Sequence, residues 1–326
     1  MLKTILVPLD GSELAERALD VATGVSIPTG AQLVLIRAVT THALPGADQR
    51  AAETRGLLEA EAYLTEQANR LAARGFRVQI ATPYGESAAS WIVEEAGLRQ
   101  ADLIVMSTHG RTGPGHLLLG SVAESVVAHS PIPVLLDRAW HWLQRELLLE
   151  DQPRLLVPLD GSPFGEAALG MAAGLADDLG AELVLLRVEP GPPGVLRADD
   201  GTVLAYVDQL EETERLEGLD YLEQVKHHVQ ASAPAVDVRL LVRFGPPAAR
   251  IAEAAAATRA ALVVMATHGR TGLRRAVLGS VAGRVLHEGT TPLVLVRPPR
   301  AADGVTRPAE SAVLAGPRAG TASLLG

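Results

Sequence analysis

Residues 107–121 read STHGRTGPGHLLLGS, and residues 266–280 read ATHGRTGLRRAVLGS. The hexapeptide THGRTG is identical in the two, and five residues further on both continue as LGSVA. Each stretch leaves an unbroken apolar run, LIVM at 103–106 and LVVM at 262–265. Such a run fits a strand buried on both faces. Each stretch then enters a segment of helical spacing, from Ser121 and from Ser280. A buried strand, a glycine-containing loop and a helix start, met twice, predict a duplicated α/β domain.

The duplication extends outward from these loops. VPLDGS stands at 7–12 and at 157–162, and AQLVLIR at 31–37 matches AELVLLR at 181–187. These pairs are 150 residues apart, whereas the loops are 159 apart (108 against 267). The second copy therefore holds nine extra residues, expected within 189–206, where Gly-Pro-Pro-Gly and Asp199-Asp200-Gly turns cluster. In the first copy KTILVPLD, GAQLVLIRAV, RVQIAT, DLIVMST and PIPVLLD read as strands, with helices at 13–25, 51–74, 87–98 and 121–129. Leu57, Leu58, Ala62, Leu64, Ala68 and Leu71 are the expected apolar residues of the long helix. The second copy repeats the order with RLLVPLD, AELVLLRV, VDVRLLV, ALVVMAT and TPLVLVR. Strands alternating with helices predict, in each copy, a five-stranded parallel sheet with helices on both faces. The domains are expected at 1–138 and 153–299. The linker at 139–152 reads as a short helix that Trp140 and Trp142 pin against a domain. The stretch 300–326, rich in Ala, Gly and Pro, reads as a disordered tail.

Composition narrows the function. The 326 residues suffice for two domains of ordinary size. Aromatics are 3% against 48% apolar residues, so the cores must be built from Ala, Val and Leu. No cysteine is present, which rules out disulfides, thiolate metal sites and thiol nucleophiles. A net charge of −9 argues against a general nucleic-acid binder, but not against a small anion in a local positive pocket. The start, MLKTILVPLDGS, does not read as a signal peptide, and no apolar run approaches the length of a membrane span. A soluble, cytoplasmic protein without a membrane partner is expected.

In open parallel sheets, ligands bind beyond the carboxyl ends of the strands, where the strand order reverses. The PLDG turn, the end of strand two and the loop after strand four all project there, and they are among the best-matched parts of the copies. Glycines let backbone amides approach an anion, and a helix start adds free N–H groups and a positive dipole end. Ser121 and Ser280 can add a hydroxyl, and Arg111 and Arg270 a fixed charge. The second loop also has Arg274 and Arg275, so tighter anion binding is expected there. Read as a structural turn alone, Ser121-Val-Ala-Glu124 fits a capping box with Ser121 as N-cap. No Gly-Lys-Ser/Thr follows, and the loop comes after strand four, which excludes the Walker and Rossmann fingerprints.

The motif G-x2-G-x9-G-(S/T) after strand four resembles that of tandem universal stress proteins of the adenine-nucleotide-binding type. Gly110 and Gly120, and Gly269 and Gly279, each enclose nine residues, and Ser121 and Ser280 follow. The resemblance covers both copies, including the VPLDGS starts and the PVLL and PLVLV endings. It departs at the first motif glycine, which is Ser107 in one copy and Ala266 in the other. A positive φ there would cost about 1 kcal/mol or more. The resemblance implies two Rossmann-like domains of the adenine nucleotide alpha hydrolase-like fold. It implies that Asp10 and Asp160 lie beside the adenosine, with Pro8 and Pro158 lining the pocket. Ala38 and Val188, ending strand two, would offer backbone to the adenine. Ser107, Thr108, His109, Gly110, Arg111, Thr112 and Gly113 would wrap the phosphates, helped by Gly120, Ser121, Val122 and Ala123. Their counterparts are Ala266, Thr267, His268, Gly269, Arg270, Thr271 and Gly272, helped by Gly279, Ser280, Val281 and Ala282. The implied ligand is ATP, with Mg2+ or Mn2+ arriving on its phosphates. In the family, closing strands pair across a two-fold, so the two copies are expected to pair within this chain, and a homodimer stays open.

The residues themselves leave alternatives. Asp10 also fits a turn or cap leading into the first helix. His109 and His268 read as buried orienting histidines, and His227-His228 as helix surface. No His/Asp/Glu cluster has metal-ligand spacing. Three readings stand: a nucleotide-dependent stress-response sensor, a nucleotide hydrolase or nucleotidyl transferase, and a nucleotide-free interaction module. Ser107 and Ala266 favour the third.

Overall fold

The computed structural model describes residues 2–40, 49–108, 119–137, 143–191, 196–197, 203–205, 207–268 and 278–298. In the first half, β1 (Thr4–Pro8), β2 (Gln32–Ile36), β3 (Val78–Ala81), β4 (Leu103–Ser107) and β5 (Val134–Asp137) form a sheet. The second half repeats it with β6 (Arg154–Leu159), β7 (Glu182–Glu189), β8 (Val238–Phe244), β9 (Leu262–Ala266) and β10 (Leu293–Val296). The spatial order is β3-β2-β1-β4-β5-β10-β9-β6-β7-β8, one sheet of ten strands. Within each half all neighbours run parallel. The halves meet where β5 and β10 pair antiparallel, with Leu135 opposite Val294. That contact covers two apolar edges that would otherwise template aggregation.

Alternation along the strands sends Val7, Leu33 and Leu35 into one core layer and Leu6, Val34 and Ile36 into the other. β4 and β9 are buried along their whole length, as their continuous apolar runs predict. The helices are α1 (Glu13–Glu16), α2 (Ala18–Thr29), α3 (Gln49–Ala72), α4 (Ala88–Leu98), α5 (Ser121–His129) and α6 (Leu143–Leu148) in the first half and the linker. They continue with α7 (Pro163–Glu166), α8 (Leu169–Leu179), α9 (Val207–Ser232), α10 (Pro247–Ala257) and α11 (Ser280–Glu288). Small residues let these helices sit close to the sheet: Ala18, Ala22 and Val25 of α2 are fully buried, as are Ala172 and Leu175 of α8 to within 1%. The linker helix α6 buries Leu147 and Leu148.

Three sequence expectations change. The helix expected at 13–25 breaks at Arg17 into α1 and α2, and α2 runs on to a left-handed C-cap at Gly30. The buried stripe of α3 is Ala60, Leu64, Gln67 and Leu71, while Leu58 is exposed. Gln67 faces inward because its amide donates to Glu16 Oε1, 3.2 Å away. That bond removes the cost of burying a polar group. Strand two also ends early, at Ile36. Val39–Thr40 then pairs with Tyr84–Gly85, and Ala38 lies in the gap between. Within the expected insertion, Leu196–Arg197 pairs antiparallel with Val203–Ala205. Trp140, Trp142, Asp199, Asp200 and residues 300–326 lie outside the described residues.

Candidate functional site

In each half the chain order reverses beside the first strand: β1 lies between β2 and β4, and β6 between β7 and β9. The carboxyl ends of those strands form the edge where ligands bind in this architecture. The turn after β1 is built by Asp10. Its Oδ1 accepts from Ser12 N–H at 2.9 Å and Ser12 Oγ at 2.6 Å. Ser12 Oγ in turn accepts from Ala15 N–H at 3.1 Å and caps α1. Asp160, Ser162 and Gly165 repeat these bonds at 3.0, 2.6 and 3.0 Å. The turn reading of Asp10 therefore holds, and the same turn fixes the carboxylate at the ligand edge. Pro8 and Pro158 stand beside it, opposite Ile36 and Leu186.

The loop after β4 starts and finishes on one strand end. Thr108 N–H donates to Asp137 O at 3.0 Å, and Thr108 O accepts from Gly120 N–H at 2.8 Å. Thr267 does the same with Val296 O and Gly279 N–H, both at 2.9 Å. A strand end is thus tied directly to a helix start. The tie explains Gly279: a Cβ there would lie 2.8 Å from Thr267 O. Its φ is −56°, so the requirement is space rather than a left-handed backbone.

The capping box is not formed. Gly120 and Gly279, not Ser121 and Ser280, are the N-caps of α5 and α11, and neither helix has a side-chain cap bond. Ser121 is the first helical residue, so its hydroxyl is past the position from which it could reach the second or third amide. Two helix starts of full length therefore face the ligand edge with their first N–H groups uncapped, a ready arrangement for an anion. Val122 and Val281 follow on the first turns, and Ala123 and Ala282 turn into the core.

Ser107 and Ala266 end β4 and β9 and are buried. Among the described non-glycine residues, positive φ occurs at Gln100 and Arg259, so the two substitutions carry no left-handed strain. His268 shares a hydrogen bond with Thr267 Oγ1 at 3.1 Å through Nδ1, while its buried Nε2 has no partner among the described residues. A buried nitrogen left unsatisfied costs about 1–3 kcal/mol, which a water, an ion or a ligand group at this position would remove. His268 Cα would lie 3.5 Å from a Cβ on Gly279, which puts this residue at the start of α11. An unpaired ring nitrogen beside the uncapped amides of a helix start fits a phosphate group. Val188 lies within β7, opposite Arg243, unlike Ala38 in the first half. His109, Gly110, Arg111, Thr112, Gly113, Gly269, Arg270, Thr271 and Gly272 lie outside the described residues, as do Arg274 and Arg275. His227 and His228 are exposed on α9. Among the described residues no three His, Asp or Glu side chains group to hold a metal, and no helix is long and apolar enough to cross a membrane.

A further duplicated cluster borders the turn. Arg37 stacks over the Tyr63 ring at 5.0 Å, and Tyr63 OH donates to Glu16 Oε1 at 2.8 Å. Arg187, Tyr221 and Glu166 repeat this at 5.3 and 2.8 Å. Burial, and then the carboxylate each hydroxyl serves, push both tyrosines well above the usual phenol range. The tyrosines therefore stay protonated donors. Sequence reading misses this cluster because its members lie on three separate elements. The signal available was Arg37 and Arg187 at the ends of the matched AQLVLIR and AELVLLR segments.

Relatives agree with this architecture. A universal stress protein of Mycolicibacterium smegmatis is 31% identical over 217 residues, spanning 65% of this chain and 67% of its own. Universal stress protein Mb2028c of Mycobacterium bovis is 30% identical over 201 residues, 61% of this chain and 62% of its own, so less than two thirds of that relative is covered. The crystal structure of a universal stress protein from Archaeoglobus fulgidus superposes with a TM-score of 0.68 at 22% identity, covering 90% of this chain and 98% of that one, and shows the same fold. The sequence profile of the universal stress protein family matches residues 1–138 and again 153–297. This chain therefore belongs to the universal stress protein family, as a tandem of two such domains.

Proposed function

We propose that each half binds an adenine nucleotide, ATP, and that the chain acts as a nucleotide-dependent regulator in a stress response. One observation carries the reading. α5 and α11 both start, with no side-chain cap, at a glycine bonded to the threonine that follows the neighbouring strand. The phosphates would rest on the first amides of these helices, with His268 Nε2 as a further contact in the second half. The Asp10 and Asp160 turns would face the ribose. Backbone beside Ala38 and Val188 would meet the base. Mg2+ or Mn2+ would arrive with the phosphates and neutralise part of their charge. The activity assigned in this reading is binding rather than turnover. We place the protein in the cytoplasm, where ATP is available. Family membership supports the stress-response role.

The test is to denature the purified chain and identify released nucleotide by chromatography. About two ATP or ADP per chain is the expected result. None released, followed by no heat on ATP titration, refutes the reading and leaves an interaction module. Steady release of phosphate at a constant rate would instead establish an enzyme.

A further inference from the structure

Among the described residues, one ion pair of the second half has no counterpart in the first. In the second half Arg187 Nε donates to Glu189 Oε1 at 2.6 Å, and both side chains are largely buried, 11% and 15% exposed. Arg187 Nη1 lies 2.6 Å from the place a Cβ on Gly161 would take, directly over the Asp160-Gly161 turn. This guanidinium is therefore neutralised and fixed. In the first half the residue at the position of Glu189, two after the arginine, is Val39. Among the described residues no hydrogen bond or ion pair engages the Arg37 guanidinium, and its contact is the face of Tyr63. Arg37 is half-buried. It follows the last residue of β2, immediately before Ala38, and Asp10 acts on the same Tyr63. A partly desolvated cation without a counter-ion attracts an anion far more strongly than an exposed one.

We propose that Arg37 lets the first site take, besides ATP, an adenine nucleotide with an added phosphate on its ribose, and bind it more tightly than the second site, where Glu189 neutralises Arg187. The inference rests on the proposed placement of the ribose between the Asp10 turn and the Ala38 backbone. Arg37 precedes Ala38 in the chain and stacks on the Tyr63 ring, on which Glu16 and Asp10 also act. Tyr63 holds the guanidinium face, which leaves its edge N–H groups for a bidentate phosphate contact.

Adenosine 3′,5′-bisphosphate and ADP carry the same number of phosphates and differ in where they sit. Titration calorimetry of the full chain with each ligand separates the alternatives. For the wild type, one bisphosphate per chain is expected at the tighter site. Arg37→Gln should weaken that binding about tenfold or more while ADP changes little. Val39→Glu, which supplies the carboxylate of the second half, should do the same. Glu189→Val should create a second bisphosphate site. ADP binding by each variant reports that it is folded. Equal bisphosphate affinity in wild type, Arg37→Gln and Val39→Glu, with ADP still bound, overturns this inference alone. No binding of either ligand by the wild type overturns the nucleotide reading with it.

Discussion

Replacing Gly279 by alanine tests the joint between strand end and helix start. The added Cβ would lie 2.8 Å from Thr267 O, where ordinary contact begins at 3.4 Å, so the chain must open by at least 0.6 Å. The same opening stretches the 2.9 Å bond from Gly279 N–H to Thr267 O to 3.5 Å, the limit of hydrogen bonding. Losing that bond costs about 1 kcal/mol. Alanine is also a poorer N-cap than glycine, which brings the total to about 2 kcal/mol. The first amides of α11 move with the joint, so nucleotide affinity in the second half should fall about tenfold. Gly283→Ala is the matched control on the same helix. Its Cβ meets Leu278 Cδ2 at 3.9 Å, an ordinary contact. Alanine in a helix interior should therefore stabilise by about 0.5–1 kcal/mol. Urea denaturation followed by circular dichroism gives the stabilities, and titration with ATP gives the affinities. Wild-type stability in Gly279→Ala, or an equal loss of affinity in Gly283→Ala, would refute the reasoning.

Further outcomes follow from other contacts. His268→Ala removes one unsatisfied nitrogen and one hydrogen bond, so apo stability should change by less than about 1 kcal/mol while ATP affinity falls about tenfold; a large loss of apo stability without loss of affinity would assign His268 to structure alone. Leu135 is fully buried opposite Val294 at the junction of the half-sheets, and Leu135→Ala should cost about 2–5 kcal/mol in denaturant unfolding. The folded pKa of Tyr63 and Tyr221 is raised, so their contribution is complete below the unfolded phenol range and is lost as pH rises above about 10. Thermal melting from pH 8 upward should show a shallower alkaline decline for the Tyr63→Phe, Tyr221→Phe double variant than for the wild type, and parallel curves would contradict the shared cause.

The sequence by itself determined the duplication, the parallel α/β class and the edge at which the matched loops lie. These are local properties. The continuous apolar runs at 103–106 and 262–265 can be satisfied only where both faces are covered. The repeated spacing from Gly110 to Gly120 and from Gly269 to Gly279 fixes a loop of one length between a strand and a helix. Only the tertiary structure decided what those loops leave open. Ser121 and Glu124 satisfy a capping pattern in sequence, yet the bond from Gly120 N–H to Thr108 O draws the cap back by one residue. The α3 face turned so that Gln67 and Tyr63 reach Glu16 on α1, a polar contact that apolar periodicity cannot register. The pairing of Arg187 with Glu189, absent where Val39 stands, needed the folded chain to give it meaning. Apolar patterning constrains which surfaces are buried, whereas cap position and ion pairing depend on which distant residues meet, and that is set by packing.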